Sequence, residues 1–181
     1  MEEGSQKSSV YPVCDYEGSQ YQHEFWDRGN RQYEDQVERI ALRSLLPKTG
    51  GVFLDIGAGA GRLTPELDRF ERVVLLDYSR TQLQQAQERL GRSKRLLFVA
   101  ADMYHLPFVP GLFNGAMMVR AVHHLVDVPS ALAGIRAVLR PRGSLVLEYA
   151  NKRNMKSILR YWLRLQEWSP FTREQIEFAR L

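Results

Sequence analysis

With 181 residues the chain has the length of one domain with a real hydrophobic core and is short for two. Its 44% hydrophobic and 25% charged residues are ordinary for a globular protein, and a net charge of +4 is too modest to suggest a nucleic-acid partner. A single cysteine, Cys14, excludes an internal disulfide and a cysteine metal cluster; the polar start MEEGSQKSSV does not read as a signal peptide, no apolar run reaches the roughly 18 residues of a membrane helix, and a cytoplasmic setting is expected.

Residues 1–20, rich in Gly, Ser and Gln, read as a flexible leader. From Tyr33 the pattern turns helical, with Val37, Ile40, Ala41, Ser44 and Leu45 on one face, and Pro47 with Gly50 and Gly51 ends it. A first strand is expected over 52–56. Leu63, Leu67 and Phe70 are then spaced for a helix, and RVVLLDYS gives a second strand over 72–77. Ser79 with Gln82 resembles a capping box that opens a helix lined by Leu83, Ala86 and Leu90. RLLFVAAD is a third strand, GAMMV (115–119) a fourth and SLVLEYA a fifth, with a helix marked by Leu132, Ile135 and Leu139 between the last two. Strands that are continuous apolar runs, alternating with helices, predict a doubly wound, mainly parallel α/β sheet. The core is expected over 21–150. Beyond it, 151–181 reads as a basic amphipathic helix with a short tail. Lys152, Arg153, Lys156, Arg160 and Arg164 have no acid among them, and Ile158, Trp162 and Leu165 share one side of 152–168. Such a helix suits packing on its own domain; it also suits weak contact with a membrane surface or a lipophilic substrate.

FLDIGAGAGR places glycines at 57, 59 and 61, directly after a strand that ends in Asp55 and Ile56. In an open parallel sheet, ligands bind beyond the carboxyl ends of the strands. Those ends carry Asp55, then Asp77 (22 residues on, a spacing that suits a ribose), then Asp102. A dinucleotide site would need Gly-x-Gly-x-x-Gly, but Arg62 stands where the third glycine would fall, and Asp55 would repel a pyrophosphate. A nicotinamide-dependent oxidoreductase is therefore disfavoured. A ligand with an adenine, a ribose and a cationic amino-acid tail suits all three acids: S-adenosylmethionine.

At this point the chain resembles a known family. LDIGAGAGRLT, VVLLDYS, AADMYHLPF and VHHLVD, followed by ALAGIRAVLRPRGSLVLEY, resemble successive motifs of the class I S-adenosylmethionine-dependent methyltransferases, in the small-molecule, quinone-biosynthesis-like group. The resemblance implies a Rossmann-like sheet ordered 3-2-1-4-5, followed in the family by two further strands. Only 31 residues remain after the fifth strand, so those two strands are expected to be missing, the chain to be C-terminally truncated, and strand five to have an open edge prone to self-association. It implies that Gly57, Ala58, Gly59 and Gly61 pass beside the methionine part, that Asp55 orients its amino group, and that Asp77, with Tyr78, binds the ribose. Asp102 and the Met103 backbone would hold the adenine, and Arg120 and Ala121 would lie near the methionine tail. The stretch YQHEFWDRGNRQYEDQVER would be a lid, with Tyr21, Trp26, Arg28 and Tyr33 as candidate contacts. Two positions depart from the family: Arg142 stands where a glycine is usual before strand five, and Asn114 where an aspartate is usual before strand four.

Methyl transfer from a sulfonium needs mainly alignment and exclusion of water, and a base only where the acceptor must lose a proton. His124 and His123, just past the fourth strand, are the candidate catalytic residues; His23 and His105 read as structural or solvent-facing. The expected function is methyl transfer to a small-molecule acceptor, with no nucleic-acid partner. The alternative is a non-catalytic S-adenosylmethionine-binding module, or an incomplete fragment of such an enzyme.

Overall fold

The computed structural model describes residues 16–29, 31–48, 50–149 and 155–165. The apolar runs form five strands: β1 (Gly50–Ile56), β2 (Phe70–Asp77), β3 (Leu96–Ala100), β4 (Phe113–Met118) and β5 (Leu139–Leu147). All four pairings are parallel and the order is β3-β2-β1-β4-β5. Parallel strands need crossovers, and the described ones are α2 (Arg80–Leu90) between β2 and β3 and α3 (Val128–Val138) between β4 and β5. Side chains alternate across the sheet, so each face has its own core. Leu54, Ile56, Leu76 and Met118 pack with Ile135 and Val138 of α3. Phe53, Val73, Leu75 and Met117 pack with Leu83 and Ala86 of α2 and with Leu42 of α1 (Gln32–Leu45). Among the described residues these five strands are the whole sheet, with β5 at one edge and its Leu145 and Leu147 only partly buried. The tail after residue 165, with the extended segment expected around 176–179, lies outside the described residues.

Three expectations change. The helix read from Leu63, Leu67 and Phe70 is a single 3-10 turn, Thr64–Leu67, with Pro65 at its start. β2 already begins at Phe70, which leaves no room for more. The face of α1 expected to be buried is exposed: Val37 by 46%, Ile40 by 65% and Leu45 by 63%. α1 docks instead through Leu42 and a set of ion pairs. Arg39 donates to Asp35 and Glu66, Arg43 to Glu66, and Arg62 to Asp35 and Glu38. The third change is in the leader. Tyr16 to Gln20 lie on the core: Gly18 N–H donates to Thr81 Oγ1 at 3.1 Å, and the Ser19 carbonyl accepts from Gln82 and Gln85.

Both departures from the family pattern have a visible role. Phe113 pairs with Leu139 and Gly115 with Ser144, so residues 140–143 bulge from the ladder. Arg142 takes φ 65° in that bulge, the left-handed region that favours glycine. Asn114 Oδ1 accepts from Val52 N–H at 2.9 Å, tying β4 to β1.

Past β5, α4 (Met155–Trp162) forms part of the basic helix expected over 152–168 and ends short of that reading, with 163–165 in a turn and Arg164 at φ 55°; 152–154 and 166–168 lie outside the described residues. Ile158, Trp162 and, just past its end, Leu165 are exposed, as are Arg160 and Arg164. No helix of the described residues is long and apolar enough to cross a membrane.

Candidate functional site

A cavity of about 390 Å³ opens at the carboxyl ends of β1, β2, β3 and β4. Its walls hold Asp55, Gly57, Ala58 and Gly59 from the β1 loop, Asp77 and Tyr78 from β2, and Asp102 and Met103 from β3. Arg120, Ala121 and His124 follow β4. Two residues singled out from the sequence, Gly61 and His123, do not line it.

The three loop glycines divide between two jobs. Gly57, Gly59 and Gly61 all take left-handed φ, at 69°, 52° and 70°, so each avoids strain that a side chain would bring. Yet a Cβ on Gly57 would come within 2.8 Å of the Ala121 Cβ, and one on Gly61 within 2.6 Å of Leu90 Cδ1. Those two allow close packing inside the protein. A Cβ on Gly59 would meet nothing nearer than Gln82 Oε1 at 3.9 Å. Gly59 is the glycine whose missing side chain leaves room in the cavity rather than in the core.

Asp77 organises this loop. Its Oδ2 accepts from Gly59 N–H at 2.8 Å and its Oδ1 from Ser79 N–H at 2.9 Å. Ser79 in turn caps α2 by accepting from Gln82 N–H, while the Gln82 side chain reaches Ser19 instead of closing the capping box. Burial holds the Asp77 carboxyl above the usual carboxylate range, against these backbone hydrogen bonds. Asp55 is buried beside it. Burial pushes its carboxyl up to about 7, the Thr64 hydroxyl opposes this, and the Asp77 charge adds to it. Asp102 is engaged at both oxygens, by Tyr104 N–H and by His105 Nδ1, each at 2.9 Å. Neutral polar donors can still share these lone pairs.

The N-terminal segment closes one side. Trp26, on a π-helical turn (Gln22–Asp27), lies against two guanidiniums, with Arg62 Cζ 3.6 Å and Arg120 Cζ 4.9 Å from its ring centroid. Glu38 joins the same two arginines. Arg120 has φ 55°, its backbone N–H donates to Glu148 and its side chain to Glu38, so the backbone group it can offer a ligand is the carbonyl. Of the lid residues, Tyr21 and Trp26 line the cavity, while Arg28 and Tyr33 do not. Tyr16, Arg62, Gln82, Tyr104 and His105 line it without having been singled out. Arg62 and Gln82 flank the glycine loop and the cap, where a signal was present; Tyr16 lies in a stretch with no periodicity to mark it.

Past β4, Val122–His124 form one 3-10 turn. Burial lowers both imidazoles; His123, next to His124 and Arg120, falls to about 4. Both are therefore neutral at neutral pH. His124 Nε2 lies 3.3 Å from the Tyr16 hydroxyl, and its buried Nδ1 has no hydrogen-bond partner among the described residues. The His123 ring packs on His124, centroids 3.9 Å apart.

Comparison with known proteins supports the same reading. The methyltransferase-domain family matches residues 54–147, just over half of the chain. An uncharacterized chloroplastic methyltransferase of Arabidopsis thaliana is 35% identical over 116 residues, covering 59% of this chain and 33% of that protein. A ubiquinone/menaquinone biosynthesis C-methyltransferase of Paracoccus denitrificans is 34% identical over 113 residues, covering 59% of this chain and 45% of that one. The chain thus spans a third to a half of the length of these relatives. In fold it is similar to the N-methyltransferase NodS of Bradyrhizobium japonicum solved with S-adenosyl-L-homocysteine, with TM-score 0.63 and 22% identity over 76% of this chain and 70% of that one. Motif order, sheet order and sequence match agree: the chain belongs to the class I S-adenosylmethionine-dependent methyltransferases.

Proposed function

We propose that this chain binds S-adenosylmethionine in the cavity above β1–β4 and transfers its methyl group to a small-molecule acceptor. The observation that carries the reading is the open space at Gly59, bounded by the two buried carboxyls Asp55 and Asp77. When bound, the cofactor supplies an electrophilic methyl group on a sulfonium. The chain's residues do the rest. Asp77, fixed by two backbone N–H groups, keeps lone pairs for both ribose hydroxyls. Asp55 and the Arg120 carbonyl would hold the ammonium, and Asp102 with the Met103 backbone would take the adenine edge. Tyr21 and Trp26 cover the cavity and exclude water. The exposed Ile158, Trp162 and Leu165 beside Arg160 and Arg164 support weak contact with a membrane surface or lipophilic acceptor, and the β5 edge supports self-association.

Calorimetric titration tests the cofactor reading. S-adenosylhomocysteine should bind and NAD should not. Asp77→Ala should cost about 1.5–3 kcal/mol, roughly 10- to 150-fold in affinity. Binding of NAD alone, or unchanged affinity in Asp77→Ala, would overturn it. Turnover across a panel of acceptors separates an enzyme from a binding module.

A further inference from the structure

The acids of the cavity stand beyond β1, β2 and β3, whereas His124, Leu125 and Val126 stand beyond β4, on the other side of β1 in the sheet. Tyr16 reaches across to that second half. Its backbone N–H donates to the Tyr78 hydroxyl, and its hydroxyl lies 3.3 Å from His124 Nε2. Its ring meets the His124 ring edge-on, with centroids 5.5 Å apart, and the Tyr21 ring at 4.7 Å. A phenol of the chain itself thus stands in an aromatic slot with its oxygen on an imidazole. A neutral imidazole carries one N–H. With no partner for the buried Nδ1 among the described residues, that proton is better placed on Nε2, where the Tyr16 oxygen accepts it. Toward the cavity His124 is then a hydrogen-bond donor. The two arginines that line the cavity are held by Asp35 and Glu38, and the described residues that line this half include no carboxylate, so it offers a neutral donor and aromatic faces rather than an ion-pair partner.

We propose that the Tyr16 phenol occupies the acceptor's seat, and that the acceptor is an aromatic hydroxyl compound that displaces Tyr16 and is held as its phenolate by the His124 Nε2–H. The proposal rests on the cofactor reading above. Gly18, two residues on, takes φ 72° with open space where a Cβ would be, so the backbone there can turn without a side-chain clash. The acceptor's proton leaves to solvent on binding. The phenolate oxygen then forms a bond to the methyl carbon as the carbon–sulfur bond breaks. The bonding pair stays on sulfur, and the products are an aryl methyl ether and S-adenosylhomocysteine.

The test uses the full chain saturated with S-adenosylhomocysteine and titrated with 4-nitrophenol, whose phenolate absorbance reports its ionisation. Bound 4-nitrophenol should ionise at lower pH than the free compound. Tyr16→Ala should bind it about threefold tighter or better, and Tyr16→Phe, which keeps the ring but loses the hydrogen bond, should fall between that variant and the unmodified chain. His124→Gln, which retains an N–H, should keep the ionisation shift, and His124→Phe should abolish it. With S-adenosylmethionine and at a pH below the free phenol's ionisation, His124→Phe should slow ether formation about tenfold for each unit of ionisation shift it abolishes, whereas His124→Gln should stay within about tenfold. Weaker binding in a Tyr16→Ala or Tyr16→Phe chain that melts normally would overturn the proposal. So would a bound probe that ionises like the free one. S-adenosylhomocysteine binding without 4-nitrophenol binding overturns this inference alone; no S-adenosylhomocysteine binding overturns the cofactor reading and this one with it.

Discussion

Asp55 shows how one buried residue can make cofactor binding depend on pH. Burial lifts its carboxyl to about 7 in the empty cavity, so near neutrality a good part of the population is protonated. A ligand ammonium beside it favours the ionised form, and binding must then expel the proton. As pH falls below about 7, affinity for S-adenosylhomocysteine should drop by up to about tenfold per unit, with proton release seen as a buffer-dependent heat in calorimetry. Asp55→Asn has no proton to expel. Its affinity should be lower at pH 8 and almost independent of pH down to about 5.5. A parallel decline in both proteins would place Asp55 away from the ammonium.

At the scale of elements, the glycine loop and the bulge within β5 make opposite predictions about glycine. Gly59→Ala brings a left-handed residue into open space and should cost about 1–2 kcal/mol of stability while weakening cofactor binding at least tenfold. Gly61→Ala drives a Cβ into Leu90, Ala86 and Leu75 and should lower the melting temperature more while affecting cofactor affinity less per unit of stability lost. Arg142 is the reverse case. It endures φ 65° where a glycine would not be strained, so Arg142→Gly should raise stability by about 0.5–1 kcal/mol in denaturant unfolding. The strands and the loop were legible because their signals are local: apolar runs, an aspartate at each of three strand ends, and glycines at alternate positions. The helix α1 is legible from its periodicity, but its docking is not: Asp35, Glu38, Arg39 and Arg43 make partners of Arg62, Glu66 and Arg120, and pairing between charges 23 to 82 residues apart leaves no periodic trace. Tyr16 escaped notice because one aromatic in a polar leader is marked only by what it meets in three dimensions.

Across the whole molecule, two buried groups pull stability in opposite directions over the same pH window. Asp55 binds a proton more tightly folded than unfolded, since its carboxyl is raised from 3.8 to about 7. Its favourable contribution is complete below the unfolded value and disappears as pH rises through 7. His123 is lowered from 6.5 to about 4. Its contribution is complete above 6.5 and disappears as pH falls through 4. Between about pH 4 and 6.5 the two slopes oppose each other, and the pair together imposes less dependence on pH than either group alone. Asp55→Asn removes one side of the opposition while its amide can still accept from the Thr64 hydroxyl. The stability of Asp55→Asn minus that of the unmodified chain should therefore be smallest near pH 4 and rise to a plateau above pH 7, by an amount up to about 4 kcal/mol. The variant's own curve should fall more steeply on acidification from 6.5, because His123 is no longer offset. Taking the difference at each pH cancels the carboxylates whose surroundings the substitution leaves alone, Asp35 and Glu66 among them, while the repulsion between Asp55 and Asp77 is part of what the difference measures. Urea midpoints across pH 4 to 8, without cofactor, measure it. A difference that is flat, or that grows toward acid, would mean that Asp55 is ionised in the empty cavity. The pH-dependent cofactor affinity expected at the scale of the residue would then fail with it.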